Sequence, residues 1–365
     1  MPRNSPLPAA DASWENSPFP LKILAIQSRR VRVLLRQDGR PVRVEHSSWG
    51  KPVLLRFDGG SVEVRDLDEG TRLERADGYR IEAEPGRLLR LDGRTYRGTL
   101  EAFLDPHDTP TLVNELSMED YLMGVVPLEL GPVQFPVLSA LGAQSIAARS
   151  YSLRHLGARA HQGFDLFADV RSQVYGGQAA EQELSSLAVL STRGESLIFA
   201  GKPILAYFSS TCGGITASFA DAFQGEEIPY LRGGVDCPDH ASSYRNWKAE
   251  FSIREFQQKL GLPSTSLEQV KLHPFKSGRL EALEVHTKGQ ELRISGREAR
   301  TSLGLRSTWV TKLIRRDDVI QLEGRGFGHG VGLCQIGTVE LARRGLSAEE
   351  ILKLYYPDTS LEKVY

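Results

Sequence analysis

Three observations predict an α+β fold. Residues 21–105 alternate apolar and polar side chains in short runs punctuated by Asp-Gly turns, residues 136–155 are dominated by small and apolar side chains, and residues 248–323 return to alternation around one helical segment. Period-two alternation with Asp-Gly turns marks antiparallel hairpins. A helix with small residues on every side lets neighbouring backbone approach closely, so the middle stretch is expected to be central and buried. The chain accordingly divides into a loose arm over 1–20, a β-rich N-terminal domain over 21–110, and a mixed core over 111–365 that contains a second β-rich section at about 248–323.

The first strands are read at "LKILAI", "RVRVLLRQ", "PVLLRFD", "SVEVRD", "YRIEAE", "RLLRLDG" and "YRGTLEAF". Their many arginines fall on the face away from the core, as a solvated sheet face requires. Leu112 to Leu116 ends a further strand. Ser117 with Asp120 fits a capping pair that opens a short helix at "MEDYLMGVV", which gives Glu119 and Asp120 a helix-start role. Pro136 suits the first turn of the next helix, running to about His155. A helix follows at "AAEQELSSLAVLSTRG", then two strands around the Gly-Lys-Pro of "SLIFAGKPILAYFSS", a helix at "IREFQQKLG", and finally a Gly-rich loop with two helices ending before Pro357.

Composition narrows the partners. The 45 basic and 46 acidic residues leave a net charge of −1, so there is no global pull toward nucleic acid or an anionic membrane, which leaves only a local basic groove open. No segment reaches the roughly 20 apolar residues of a membrane span. The N-terminus does not read as a secretory signal: Ile23 to Ile26 is short, and Pro and acidic residues precede it. The three cysteines, Cys212, Cys237 and Cys334, allow at most one internal disulfide.

One carboxylate stands apart. Val126 to Tyr151, "VPLELGPVQFPVLSALGAQSIAARSY", holds two charged residues, Glu129 and Arg149. A lone acid in apolar company is an accident, half of a buried pair with Arg149, or a catalytic acid whose pKa is raised by its surroundings. Val125, Val126, Leu128, Leu130 and Phe135 are such surroundings. Gln144 and Arg149, five positions apart, face about 140° from each other on a helix, so one of them at most points into a cleft, and Gln144 reads as the weaker candidate. In "GRGFGHGVGLCQIG", His329 and Gln335 are the polar side chains best placed to reach a ligand. The pattern matches neither a phosphate cradle nor a dinucleotide loop.

These motifs together resemble the stage II sporulation protein D / amidase-enhancer (SpoIID/LytB) family. "MEDYLMGVVPLEL…SALGAQSIAARSY", "SQVYGG", "SSTCGGITASF", "IPYLRGGVD…NW" and "GRGFGHGVGLCQIG" follow the family's order from about Leu112 to Tyr356, although the link "GPVQFPVLS" is a residue or two longer than the family's. The resemblance implies an extracytoplasmic protein that acts on peptidoglycan glycan strands, as a lytic transglycosylase or as a non-catalytic enhancer of a cell-wall amidase. It makes Glu129 the general acid and places Arg149, Tyr151, Gln144, His329, Gln335, Ser210 and Thr211 at the substrate. No cofactor is implied. One isolated acid suits transglycosylation, since most glycosidases need a second carboxylate.

Some relatives carry a His/Cys metal site after the long helix. His161 remains here, but Phe167 and Ser172 stand where cysteines are expected. A thiol-hydrolase reading of Cys212 or Cys334 with His240 or His329 lacks any local signature. For an exported protein a Cys212–Cys237 disulfide is the natural use. A metal site from Cys212, Cys237, His240 and Cys334 is the remaining alternative, since "CPDH" has a tolerable ligand spacing.

Overall fold

The predicted alternation becomes antiparallel β structure through most of the first hundred described residues. The computed structural model describes residues 29–49, 51–263 and 266–365; the expected arm over 1–20 and the strand at "LKILAI" lie outside them. Strands Val42–Glu45, Val53–Asp58, Ser61–Asp66 and Arg72–Ala76 form a meander extended at the other edge by Leu89–Leu91 and Arg94–Tyr96. The strand arginines lie largely outside the core and find acids: Arg65, Arg72 and Arg75 surround the buried Glu63, and Arg32 and Arg80 meet Glu101.

A second sheet joins the N-terminal part to the core. Strand Pro110–Ser117 pairs with Thr99–Leu104 on one side and with Arg30–Arg36 on the other, and Arg30–Arg36 also runs parallel to Leu166–Phe167. Residue 110 therefore opens a strand shared by both parts. Val31, Leu55 and Leu100 belong to the same apolar cluster as Leu122, Leu141 and Ile146. The section after Trp247 has its own cluster around Trp247, Phe256, Leu283 and Ile320, under two three-stranded sheets.

Eight α-helices occur among the described residues: α1 (Met118–Glu129), α2 (Leu138–His155), α3 (Glu183–Ser191), α4 (Phe219–Phe223), α5 (Ile253–Lys259), α6 (Gly296–Leu303), α7 (Gln335–Arg343) and α8 (Ala348–Tyr355). Ser117 caps α1, its Oγ accepting from Asp120 N at 3.2 Å. Helix α2 starts two residues beyond Pro136 and is buried from Ala140 to Ser152, packed among α1, α3, α7, α8 and strand Glu195–Phe199. Its buried serines are satisfied internally, with Ser145, Ser150 and Ser152 donating to carbonyls one turn back.

Candidate active site

Glu129 is the last residue of α1. The helix read at "MEDYLMGVV" runs three residues further, through Pro127, and the Leu130 N–H closes it on Val126 O at 2.9 Å. A helix C-terminus carries negative partial charge and disfavours a carboxylate. Leu128 is exposed, whereas Val125, Val126 and Leu130 are buried in the core. The groups that meet the carboxylate come from far along the chain. Val174 N donates to Oε1 at 2.9 Å, and Gln335 Nε2 lies 3.5 Å from Oε2. Burial raises the Glu129 pKa above the ordinary glutamate value of 4.5, opposed by those two hydrogen bonds, and no second carboxylate contributes. Among the described residues Glu129 makes no ion pair.

The "SQVYGG" motif is the clip that delivers Val174. Gln173 accepts from Tyr121 Oη at 3.1 Å and Ser152 Oγ at 2.8 Å, and Tyr175 Oη donates to Asn114 at 2.7 Å. Gly176 N donates to Gly124 O at 3.1 Å. A Cβ on Gly124 would come within 2.7 Å of the Tyr175 ring and 2.8 Å of Gly177 O, so glycine is what lets the clip lie on α1.

Helix α2 presents Gln144 to this group, not Arg149. Gln144 Oε1 lies 3.4 Å from Gln335 Nε2, and Gln144 Nε2 has no partner among the described residues. Arg149 points the other way and is fully buried, donating to Glu119 at 3.1 and 2.6 Å and to the carbonyls of Val189 and Glu195, both at 3.1 Å. Glu119 is thus more than a helix-start residue: it also receives Tyr365 Oη at 2.6 Å. The 140° separation of Gln144 and Arg149 holds with the ranking reversed, and the Glu129–Arg149 pair does not form.

Tyr151 continues from Glu129 into a run of aromatic rings. Tyr207 lies 5.9 Å from Tyr151, 5.8 Å from Phe219, 4.9 Å from Phe223 and 5.6 Å from His329 between ring centres. All but Tyr151 are partly exposed. Burial holds the Tyr151 phenol at a pKa of about 12, with Tyr207 and Glu129 acting in the same direction. Burial, together with the Arg300 charge, lowers His329 to about 4, so its ring is neutral at pH 7. His329 Nδ1 accepts from Val331 N at 3.0 Å, the tight connector role, while the ring joins the aromatic run.

Neither Ser210 nor Thr211 hydrogen-bonds Glu129, but Ser210 lies against the start of α7, beside Gln335. Strand Phe208–Ser209 runs parallel to Leu333–Cys334, and Ser210 O accepts from Ile336 N at 3.1 Å at the start of α7. Thr211 is buried, its hydroxyl 2.7 Å from Ser242 Oγ. The sequence reading missed Val174, Tyr207, Phe219 and Phe223. The "SQVYGG" motif was a signal for the first; nothing local marks the aromatics, which meet through tertiary packing.

The cysteines are all buried thiols, and Cys212 and Cys237 are not joined as a disulfide. Neither histidine stands as a base beside a cysteine: His240 is exposed and bonds Arg245, and His329 faces Tyr207 and Phe223. Near the family's other metal position, Ser172 Oγ accepts from Phe167 N at 3.1 Å, and His161 is exposed.

The family model described as Stage II sporulation protein matches residues 107–199, the stretch from the shared strand through α1, α2 and α3. An uncharacterized protein of Brachyspira hyodysenteriae is 34% identical over 302 residues, spanning 80% of this chain and 77% of that protein. Stage II sporulation protein D of Bacillus subtilis is 33% identical over 270 residues, spanning 69% of this chain and 76% of that protein. The amidase enhancer of Bacillus subtilis is 28% identical over 368 residues, spanning 83% of this chain and half of the enhancer. With its motifs in order and 33% identity over about three quarters of a stage II sporulation protein D, the chain belongs to the stage II sporulation protein D family.

Proposed function

We propose that this protein is a peptidoglycan lytic transglycosylase of the cell envelope, with Glu129 as its single general acid and base. The observation that carries this reading is the Glu129 carboxyl itself: held by one N–H and one amide, raised in pKa by burial, and free of any cation or second carboxylate. Such a group stays protonated closer to neutral pH than an exposed glutamate and can give its proton to a glycosidic oxygen. The bond from that oxygen to the anomeric carbon then breaks. The muramic acid's own primary hydroxyl attacks the anomeric carbon and passes its proton to the Glu129 carboxylate, which restores the acid. No water is consumed, so no second carboxylate is needed to activate one.

The aromatic run from Tyr151 to Phe223 suits a glycan, because sugar C–H faces pack on aromatic rings. Purified glycan strands, with and without stem peptides, should acquire anhydromuramoyl ends when incubated with the protein. The similarity to an amidase enhancer supports a second reading, in which the same cleft binds glycan or an amidase without cutting. Tight glycan binding with no anhydro ends, together with stimulation of a wall amidase, would establish that reading in place of the first.

A further inference from the structure

Cys212, Cys237, Cys334 and Asp239 come from three separate stretches of the chain. Their three Sγ atoms and a carboxylate oxygen all lie within 4.8 Å of one another. Each of the four is at most 5% exposed. Tetrahedral zinc with bonds of 2.3 Å to sulfur would set its sulfurs about 3.8 Å apart, within the span of this cluster. Three soft thiolates with one carboxylate favour zinc over calcium or magnesium.

The shell around the donors is already arranged. Cys334 Sγ accepts from Cys212 N at 3.3 Å and Gly337 N at 3.4 Å. Asp239 Oδ2 accepts from Gly213 N at 2.6 Å and Gly214 N at 3.1 Å, and Oδ1 meets Arg245 at 3.1 Å. Outer hydrogen bonds of this kind orient metal ligands. A Cβ on Gly337 would stand 2.4 Å from Cys237 Sγ and 3.4 Å from Cys334 Sγ, so the first turn of α7 keeps a glycine where the sulfurs need room.

Charge supplies an independent argument. Arg279 is buried beside the cluster, donating to Cys212 O at 3.0 Å and Ile215 O at 3.1 Å, and makes no ion pair among the described residues. An unpaired buried cation is costly. Three thiolates and a carboxylate carry four negative charges; a divalent ion cancels two, and Arg245 and Arg279 cancel the rest.

We propose that Cys212, Cys237, Cys334 and Asp239 bind one zinc ion in a closed, structural site. Asp239 takes the fourth position that the sequence suggested for His240. Cys334 immediately precedes Gln335, so the ion would pin the start of α7, from which Gln335 reaches Glu129 and Gln144. The site does not depend on the chemistry assigned to Glu129.

The test is elemental analysis of protein purified without chelator, with thiols counted before and after denaturation in chelator. One zinc per chain and three thiols accessible only after chelation are expected. Cobalt exchange should give thiolate charge-transfer bands and tetrahedral visible bands. Cys237→Ser should lose the stoichiometric metal, whereas His240→Ala should keep it and remain folded. Folded wild-type protein that takes up neither zinc nor cobalt would overturn the proposal, whether peptide mapping finds a Cys212–Cys237 disulfide or three free thiols. Full zinc in Cys237→Ser would also overturn it, and metal loss in a folded His240→Ala would contradict Asp239 as the fourth ligand.

Discussion

The Arg149 guanidinium grips the Glu119 carboxylate through two contacts, Nε to Oε1 at 3.1 Å and Nη2 to Oε2 at 2.6 Å. Arg149 is fully buried and Glu119 nearly so. The pair ties α1 to α2, and Tyr365 Oη and Gly194 N complete the Glu119 shell. It also commits Arg149 to Glu119, and the candidate acid has no counter-ion among the described residues.

Breaking one side of such a pair strands the other charge. Arg149→Met should therefore cost about 3–5 kcal/mol of stability, measured by denaturant unfolding. Adding Glu119→Leu should recover most of the loss, because apolar replacement of a whole buried pair is often neutral. A stable Arg149→Met with weakened glycan binding would instead make Arg149 a sugar contact.

Much of the architecture was legible because its signals are local. The Asp-Gly turns at Asp58 and Asp92 close hairpins, and the Ser117 cap and the small residues of α2 likewise act within a few positions, whereas the Asp-Gly pairs at Asp38 and Asp77 link strands of different sheets. The candidate acid stood out for its isolation, but its partners did not. Val174 and Gln335 lie 45 and 206 positions away, and the acid that Arg149 does pair with, Glu119, is 30 positions from it in the first turn of α1. Helical periodicity gave the angle between Gln144 and Arg149 without saying which would face the acid.

The raised Glu129 pKa sets an alkaline limb for activity. The acid must be protonated, so kcat/KM should fall as pH rises through a value above 4.5. The sign for stability follows: a group whose folded pKa is raised stabilises below its unfolded pKa and loses that contribution as pH rises through the folded one. Wild type should therefore lose stability relative to Glu129→Gln as pH increases. A pH-independent difference in denaturation midpoint between the two would contradict the raised pKa.

His329 has the opposite sign. With its pKa lowered to about 4 from 6.5, its contribution is present above the unfolded value and lost as pH falls through the folded one. His329→Asn should flatten the acid limb of the stability profile between those pH values. An unchanged limb would mean that the ring titrates normally.

Tyr207 lies at the centre of the aromatic run. Tyr207→Ala should weaken glycan binding by about 1 kcal/mol, roughly fivefold, while Tyr207→Phe keeps the ring and the affinity. Calorimetric titration with glycan oligomers separates the two. Equal affinity in Tyr207→Ala and wild type would remove the run from the substrate site.

The most direct measurement is the rate of anhydromuramoyl end formation by Glu129→Gln. Glutamine keeps the shape and can still accept from Val174 N–H, yet has no carboxyl proton to give. With no cation left unpaired, the variant should fold with stability at least equal to wild type at neutral pH, bind glycan normally, and lose about 10²–10⁴-fold in rate. A folded, glycan-binding Glu129→Gln that forms anhydro ends at the wild-type rate would contradict the assignment of Glu129 as the acid.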